Sequence, residues 1–527
     1  MIINSAELFP EPVAHAIDNA LAEAQAANIA KRIVARDASV WTTDASGAQM
    51  IGNSLGWLTV AGEMLGVVNE LREFANEVRK EFRHVMVCGM GGSSLCPEML
   101  ARTFGHQAGF PELLVLDSTD PDVIASFADR IDEKKCLFVI ASKSGTTTEP
   151  NVFFKFWYDR VKSGDNFVAI TDPGTPLVKT AEEHGFRRVF LNQADIGGRY
   201  SALSYFGMVP AALMGLEISK LLDFQTNYEE ALKLGVAIGE CANLGRDKLT
   251  FVIDPQLASL GLWIEQLIAE STGKQGKGIV PVVGETLGDR SAYGDDRVFV
   301  AITLAYSDFN LDSFANLGHP VIHRKLTDLY DLGAEFFAWE FATACAGWRL
   351  GINPFDQPNV QEAKDATKEL LAEFTSNGRL PGTTPESSLE DAVKAQLTSV
   401  KPGDYIAFLN FIEETPDINQ KLQDVRNYLR DTTHCATTVG FGPRFLHSTG
   451  QLHKGGPSSG VFFQLGAKDN TDFPVPGEAY SFSVLKDAQA LGDFRALKSR
   501  GRRVVRIDLG DAIWSGLKRL EAAIKSV

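Results

Sequence analysis

Between residues 84 and 215, short apolar runs alternate with segments long enough to hold a helix. The runs are His84–Cys88, Leu113–Leu116, Leu137–Ala141, Phe167–Ile170 and Arg188–Leu191. Short apolar runs spaced in this way predict strands of a parallel sheet with helices on both faces. Ligands of such sheets bind beyond the carboxyl ends of the strands, so the loops that follow the strands are where chemistry is expected.

The loop after the third run is Ser142-Lys143-Ser144-Gly145-Thr146-Thr147-Thr148, with five hydroxyls, one ammonium and one glycine in seven residues. Glu149, Pro150 and the helix-compatible stretch Asn151–Val161 follow. Outward N–H groups, a positive helix end, hydroxyls and Lys143 together predict an anion site. The competing reading is a polar turn that caps a helix with Thr. A P-loop is excluded, because the Gly-x4-Gly-Lys-Ser/Thr spacing is absent. The loop after the first run, Gly89-Met90-Gly91-Gly92-Ser93-Ser94, lets the backbone approach a ligand closely. A dinucleotide fingerprint would need glycine where Ser94 stands, although Asp117 ends the second run where a ribose-binding acid would sit. A nucleotide-dependent oxidoreductase is thus a damaged alternative. A close-packed loop beside a hydroxyl-rich one is more consistent with a phosphorylated sugar.

Four further stretches carry chemistry. Gly197-Gly198-Arg199 follows the last run and offers a guanidinium to an anion, or forms a tight turn with an exposed Arg. Glu270 falls in the last turn of a helix expected over 256–270, which Gly273 ends. The negative end of the dipole disfavours an anion there by up to about 1 kcal/mol, which suits a base that must return its proton. The plain alternative is an exposed Glu in a frayed turn. Pro358 suits a first helical turn, which places Lys364 near a positive dipole end and makes its ammonium a readier proton donor than a solvated one. Gly440–Gly460 carries Arg444, His447, His453 and Lys454 among many glycines, and reads as a mobile lid with a titratable His or as a surface loop.

Size and composition bound the rest. The chain has 527 residues and formal charge -16. That length calls for several domains, and that charge argues against nucleic-acid or anionic-membrane partners. Cysteines 88, 96, 136, 241, 345 and 435 show no metal spacing and read as reduced thiols of a cytosolic protein. The N-terminus has no secretory pattern, and no apolar run approaches the length that spans a bilayer. The expected organisation is a helical segment over 1–80, a first α/β domain over 81–215, a second over 216–375 and a C-terminal α/β extension over 376–527. Strands are expected at 249–253, 279–283 and 298–302, and then at 404–410, 434–439, 460–465 and 503–508. A long apolar helix is expected at about 334–350, and the linker at 376–392, SNGRLPGTTPESSLEDA.

Taken together, Gly89–Ser94, Ser142–Thr148, Gly197–Ser201, Glu270-Ser-Thr-Gly-Lys274 and Phe355-Asp-Gln-Pro358 to Lys364 resemble the phosphoglucose isomerases in kind and order. The resemblance covers about residues 50–370, and the tail stretch GPRFLHSTGQLHKGGP is similar to the isomerase half of bacterial transaldolase–isomerase fusions. It implies two sugar-isomerase (SIS-like) three-layer sandwiches plus the extension, here as a free-standing version of that half without a transaldolase barrel. It also implies glucose 6-phosphate to fructose 6-phosphate interconversion without metal or cofactor, in a cytoplasmic homodimer. Ser142, Ser144 and Thr147 would hold the phosphate with Lys143 close by, and Gly92 and Ser93 would contact the sugar. Glu270 would be the base, Arg199 would stabilise the enediolate, and Gln357 and Lys364 would act at the ring and its oxygen. The family's ring-opening His, often supplied by a neighbouring subunit, has no match between Gly284 and Arg297. Thr449-Gly450-Gln451-Leu452-His453 resembles its setting, so His453 is the expected ring-opening residue, with His447, His319 and His323 as the other candidates. Pro150 stands where longer relatives have a further phosphate-binding Thr. A sugar-phosphate-binding regulator without catalysis is the competing function, and it would not need Glu270, Arg199 and Lys364 together.

Overall fold

The computed structural model describes residues 4–307, 318–381 and 388–527. Its strands are β1 (Asn4–Leu8), β2 (His84–Cys88), β3 (Glu112–Leu116), β4 (Cys136–Ala141), β5 (Phe167–Thr171), β6 (Arg188–Leu191), β7 (Lys248–Ile253), β8 (Val280–Val282), β9 (Arg297–Leu304), β10 (Val321–Leu326), β11 (Tyr405–Phe411), β12 (Ala436–Phe441), β13 (Gly460–Gly466) and β14 (Arg503–Asp508). They form three sheets, in the orders β3-β2-β4-β5-β6, β1-β10-β9-β7-β8 and β12-β11-β13-β14. Every pairing is parallel except β1 with β10. The expected α/β architecture, with two sandwiches and a third α/β unit, is what the chain adopts.

Alternate residues of the central strands face different cores, as a period of two requires. Val85, Val87, Leu137 and Val139 enter a core shared with Leu249, Phe251 and Val300 of the second sheet. Met86, Cys88, Phe138 and Ile140 enter a core that the tail completes with Val475, Phe482 and Leu485. Both faces of the first sheet are therefore buried, which is why its strands read as uninterrupted apolar runs. The tail is consequently part of the first sandwich's packing as well as a unit of its own.

Two strands depart from the sequence expectation. The segment 1–80 holds the helices Glu11–Ala26, Ile29–Val34, Val60–Leu65 and Val68–Glu81, but it begins with β1, an antiparallel edge strand. Its partner β10 was not expected either, because Arg324 and Lys325 interrupt its apolar pattern. Arg324 is buried there and paired to Glu335 at 2.7 Å and Glu230 at 2.9 Å, so a charge occupies a core position. The expected linker is entered from both sides by helices, Val360–Asn377 and Leu389–Thr398, and its residues 382–387 lie outside the described residues. Helix Val360–Asn377 packs on helix Phe482–Ser499 of the tail through Leu370, Ala488 and Leu491. All six cysteines are buried, and no described helix is long and apolar enough to cross a membrane.

Candidate active site

Glu270 and Arg199 meet in a cleft beyond the carboxyl end of the first sheet. Glu270 stands in the last turn of helix Leu260–Thr272, and its Oε1 lies 3.3 Å from the Arg199 guanidinium. That guanidinium offsets the unfavourable end of the helix dipole. Arg199 is buried and held on every side. It donates to Ser271 Oγ at 2.7 Å, Gln357 Oε1 at 2.9 Å, and the carbonyls of Pro354 at 2.7 Å and Asp356 at 3.0 Å. It is not the exposed Arg of a tight turn. Tyr200 stacks on Trp57 at 5.4 Å and lies 5.3 Å from Phe355, so the N-terminal helical segment braces this wall from behind. Lys274 donates to the Asn353 carbonyl at 2.7 Å and pairs with Asp356 at 2.6 Å. Burial, and then the nearby Arg199, bring its ammonium down to about 8.

The loops reach the cleft because glycine lets backbones touch. A Cβ on Gly92 would lie 1.9 Å from the Gly198 carbonyl oxygen, so only glycine allows the Gly89–Ser94 loop to abut the turn that presents Arg199. Ser93 is buried beside it. In the hydroxyl loop, Ser142 Oγ donates to Thr147 Oγ1 at 3.1 Å, and Ser144 Oγ bonds Thr146 Oγ1 at 2.9 Å. Thr147 occupies the N-cap of helix Thr148–Val161, yet its side chain makes no capping bond. The hydroxyls therefore bond one another at the positive helix end, an arrangement suited to an anion and not to simple capping. Lys143 departs from the expected arrangement, since its Nζ pairs with Asp172 and donates to the Ala194 carbonyl at 3.0 Å.

The tail closes the cleft. A cavity of about 160 Å³ is lined by Thr146, Thr147, Lys364, Gln361 and Gln489 together with His447. His447 Nε2 lies 3.1 Å from Glu149 Oε1. Burial pushes the Glu149 carboxyl up, but His447, its own backbone N–H and Lys364 bring it below its usual range. Gln266 links this cavity to the base, donating to Glu270 Oε2 at 3.1 Å and to the His447 carbonyl at 2.7 Å. Lys364 lies in helix Val360–Asn377, which starts two residues later than expected and leaves Pro358 ahead of the N-cap Asn359.

His453, the residue expected to open the ring, does not line this cavity. Its ring packs 5.0 Å from Phe462 and 6.2 Å from both Tyr405 and Phe445, in the core under the third sheet. Burial, with Lys454 and Arg502 nearby, holds it neutral well below the usual range of a His. The Gly440–Gly460 stretch is likewise neither lid nor surface loop. It folds into the 3-10 turn Arg444–His447 and the buried helix Gly450–Gly455. A Cβ on Gly273 would lie 2.3 Å from Leu452 Cα, so this helix sits directly on the end of the Glu270 helix. His319, just ahead of β10, packs near Tyr293 and Phe299, and His323 within β10 bonds Thr303 Oγ1 at 2.8 Å.

Residues not singled out from the sequence are Glu149, Gln266 and Gln489. Glu149 directly follows the hydroxyl loop, so its place in the first helical turn was the available signal. Gln489 had none, because its role arises from long-range packing. Asp117, the would-be ribose acid, is instead gripped by Arg444 at 2.8 and 2.9 Å.

Comparison with known proteins fits this arrangement. The model of the phosphoglucose isomerase family matches residues 58–229. The chain is 27% identical over 380 residues to a protein of Methanococcus maripaludis named probable glucose-6-phosphate isomerase, covering 61% of this chain and 85% of the relative. It is 26% identical over 373 residues to the glucose-6-phosphate isomerase of Shouchella clausii, covering 57% and 82%. The crystal structure of a hypothetical protein from Thermus thermophilus shares the fold, with a TM-score of 0.57 at 22% identity, over 70% of this chain and 100% of that one. The chain is thus similar to the phosphoglucose isomerase family over residues 58–229, and to these two named relatives over more than four fifths of their own length.

Proposed function

We propose that the chain interconverts glucose 6-phosphate and fructose 6-phosphate through an enediolate, with Glu270 as the base. The observation that carries this reading is the Glu270 carboxylate 3.3 Å from a buried, fully oriented Arg199. A carboxylate that must hold a proton briefly, beside a fixed guanidinium, suits a reaction whose negative charge exists only along the path. The hydroxyls of Ser142, Ser144 and Thr147 hold the phosphate, with Lys143 lending positive charge from its Asp172 pair. Gly92, Ser93 and Gln357 bound the sugar. The homologues named glucose-6-phosphate isomerase support the same substrate pair.

The first step is ring opening, in which a proton leaves the anomeric hydroxyl and one reaches the ring oxygen. His447 donates its Nε2–H to Glu149, which leaves Nδ1 to take the anomeric proton, and Lys364 supplies a proton across the same cavity. Glu270 then removes the C2 proton. The C2–H electron pair forms the C1–C2 double bond while the carbonyl pair moves onto O1, facing Arg199. Glu270 returns its proton to C1, and a proton moves from the O2 hydroxyl to O1 as the C2 carbonyl forms. His447 takes the role the sequence had given to His453.

The deciding experiment is formation of glucose 6-phosphate from fructose 6-phosphate by the purified chain, with Glu270→Gln as control. The expected loss in the variant is about 10²–10⁴-fold in kcat with sugar-phosphate binding kept. Turnover within a few fold of the parent would overturn the base assignment. Ser142→Ala with Thr147→Ala should mainly raise KM, and an unchanged KM would count against the phosphate loop.

A further inference from the structure

Glu149 accepts a second side-chain hydrogen bond, and the donor comes from the tail. Gln489 Nε2 reaches Glu149 Oε1 at 2.6 Å from helix Phe482–Ser499. The other end of the same amide, Oε1, accepts from Thr119 Oγ1 at 2.7 Å. Thr119 follows β3 and is fully buried, and Gln489 is 3% exposed. A primary amide has one donating end and one accepting end, so a hydroxyl donor at the accepting end fixes which end meets the carboxylate. Glu149 itself is 4% exposed, and water cannot readily replace the amide as a partner.

We propose that Gln489, oriented by Thr119, is a positioning residue for ring opening, holding Glu149 as an anion aimed at His447 Nε2. The inference rests on the reading of His447 given above. The relay Thr119–Gln489–Glu149–His447 runs from the first sheet through the tail helix and back to the cavity. It fixes the imidazole tautomer, because a carboxylate that keeps its charge must receive the Nε2 proton, which leaves Nδ1 for the sugar. The charged and titratable groups that face Glu149 are His447, Lys364 and Tyr480. The Gln489 N–H dipole adds to their effect. Its loss raises the proton affinity of the Glu149–His447 pair, whichever member carries the proton.

The test isolates ring opening from isomerisation. In a Glu270→Gln background the C2 proton is not removed, yet enzyme-promoted anomer exchange of glucose 6-phosphate remains measurable by exchange NMR. Adding Gln489→Leu should slow that exchange about tenfold and move the acid limb of its pH profile upward by about one unit. Thr119→Val, which conserves shape, should move the limb in the same direction by less, and Thr119→Ser should restore it. Slower exchange with an unmoved limb in both variants would mean that Gln489 only packs, and would overturn the proposal. Parent-like exchange in Gln489→Leu would also overturn it. Absence of exchange in the Glu270→Gln parent, together with absence of isomerisation by the unaltered chain, would instead refute the underlying functional reading.

Discussion

Arg444 grips Asp117 with two parallel hydrogen bonds, Nε to Oδ2 at 2.9 Å and a terminal nitrogen to Oδ1 at 2.8 Å. The two residues are 327 positions apart, and Arg444 opens the 3-10 turn that ends at His447. Its guanidinium also reaches Glu98 at 3.0 Å, and Asp117 accepts from Ser94 Oγ at 3.1 Å. One ion pair therefore ties the turn bearing His447 to the glycine loop after β2. Burial pushes the Glu98 carboxyl up even with Arg444 beside it.

Removing one side of that pair should be costly. Arg444→Leu leaves Asp117 buried without its counter-ion, with an expected loss of about 3–5 kcal/mol. Arg444→Leu with Asp117→Leu should recover part of the loss in denaturant-unfolding midpoints, while ring opening stays impaired in both because the His447 turn is no longer anchored. A double variant as unstable as the single one would show that the pair is not the unit of stability.

Glu270, Arg199, Glu149, His447 and Lys364 all come from one chain. Mixing Glu270→Gln with His447→Asn should therefore restore no turnover, whatever the oligomeric state, since each site would keep its own defect. Recovery toward one quarter or one half of parental activity on co-refolding would mean that residues are shared between copies. The measurement is specific activity of the refolded mixture against each variant alone.

How far the sequence reaches is set by whether local pattern or distant packing decides a feature. β2, β4 and β5 were legible because both of their faces are buried, so nothing breaks the apolar run. β10 was hidden because Arg324 satisfies its charge with Glu335 and Glu230, contributed by two separate helices. Arg199, Glu270 and Gln357 could be singled out from their short motifs, and the fold brings them within hydrogen-bond or ion-pair range of Arg199. The choice between His447 and His453 was not local. Both lie in one glycine-rich stretch, and only the 3-10 turn followed by a buried helix sends one ring to Glu149 and the other to Phe462. Gln489 is further still from its partners in sequence, and an isolated Gln in a helix reads as solvated.

Lys274 provides a pH signature of the cleft wall. Its side chain is 1% exposed, and its ammonium titrates at about 8, down from an ordinary value of 10.5, through burial first and Arg199 second. Between those two values the unfolded chain holds a proton that the folded chain has released. Stability from this group therefore rises as pH increases from about 8 to 10.5, by at most about 3 kcal/mol, and is absent below that window. Lys274→Met should lose this rise, so the difference in unfolding free energy between parent and variant should change across that window and be flat between pH 6 and about 7. Over the same range the neutral amine holds Asp356 and the Asn353 carbonyl less tightly, and the loop that carries Gln357 loosens. The parent's KM for sugar phosphate should accordingly rise above pH 8, where the phosphate itself is already fully ionised and cannot account for the change. A difference curve that is flat through pH 10.5 would show that Lys274 keeps its proton in the folded chain.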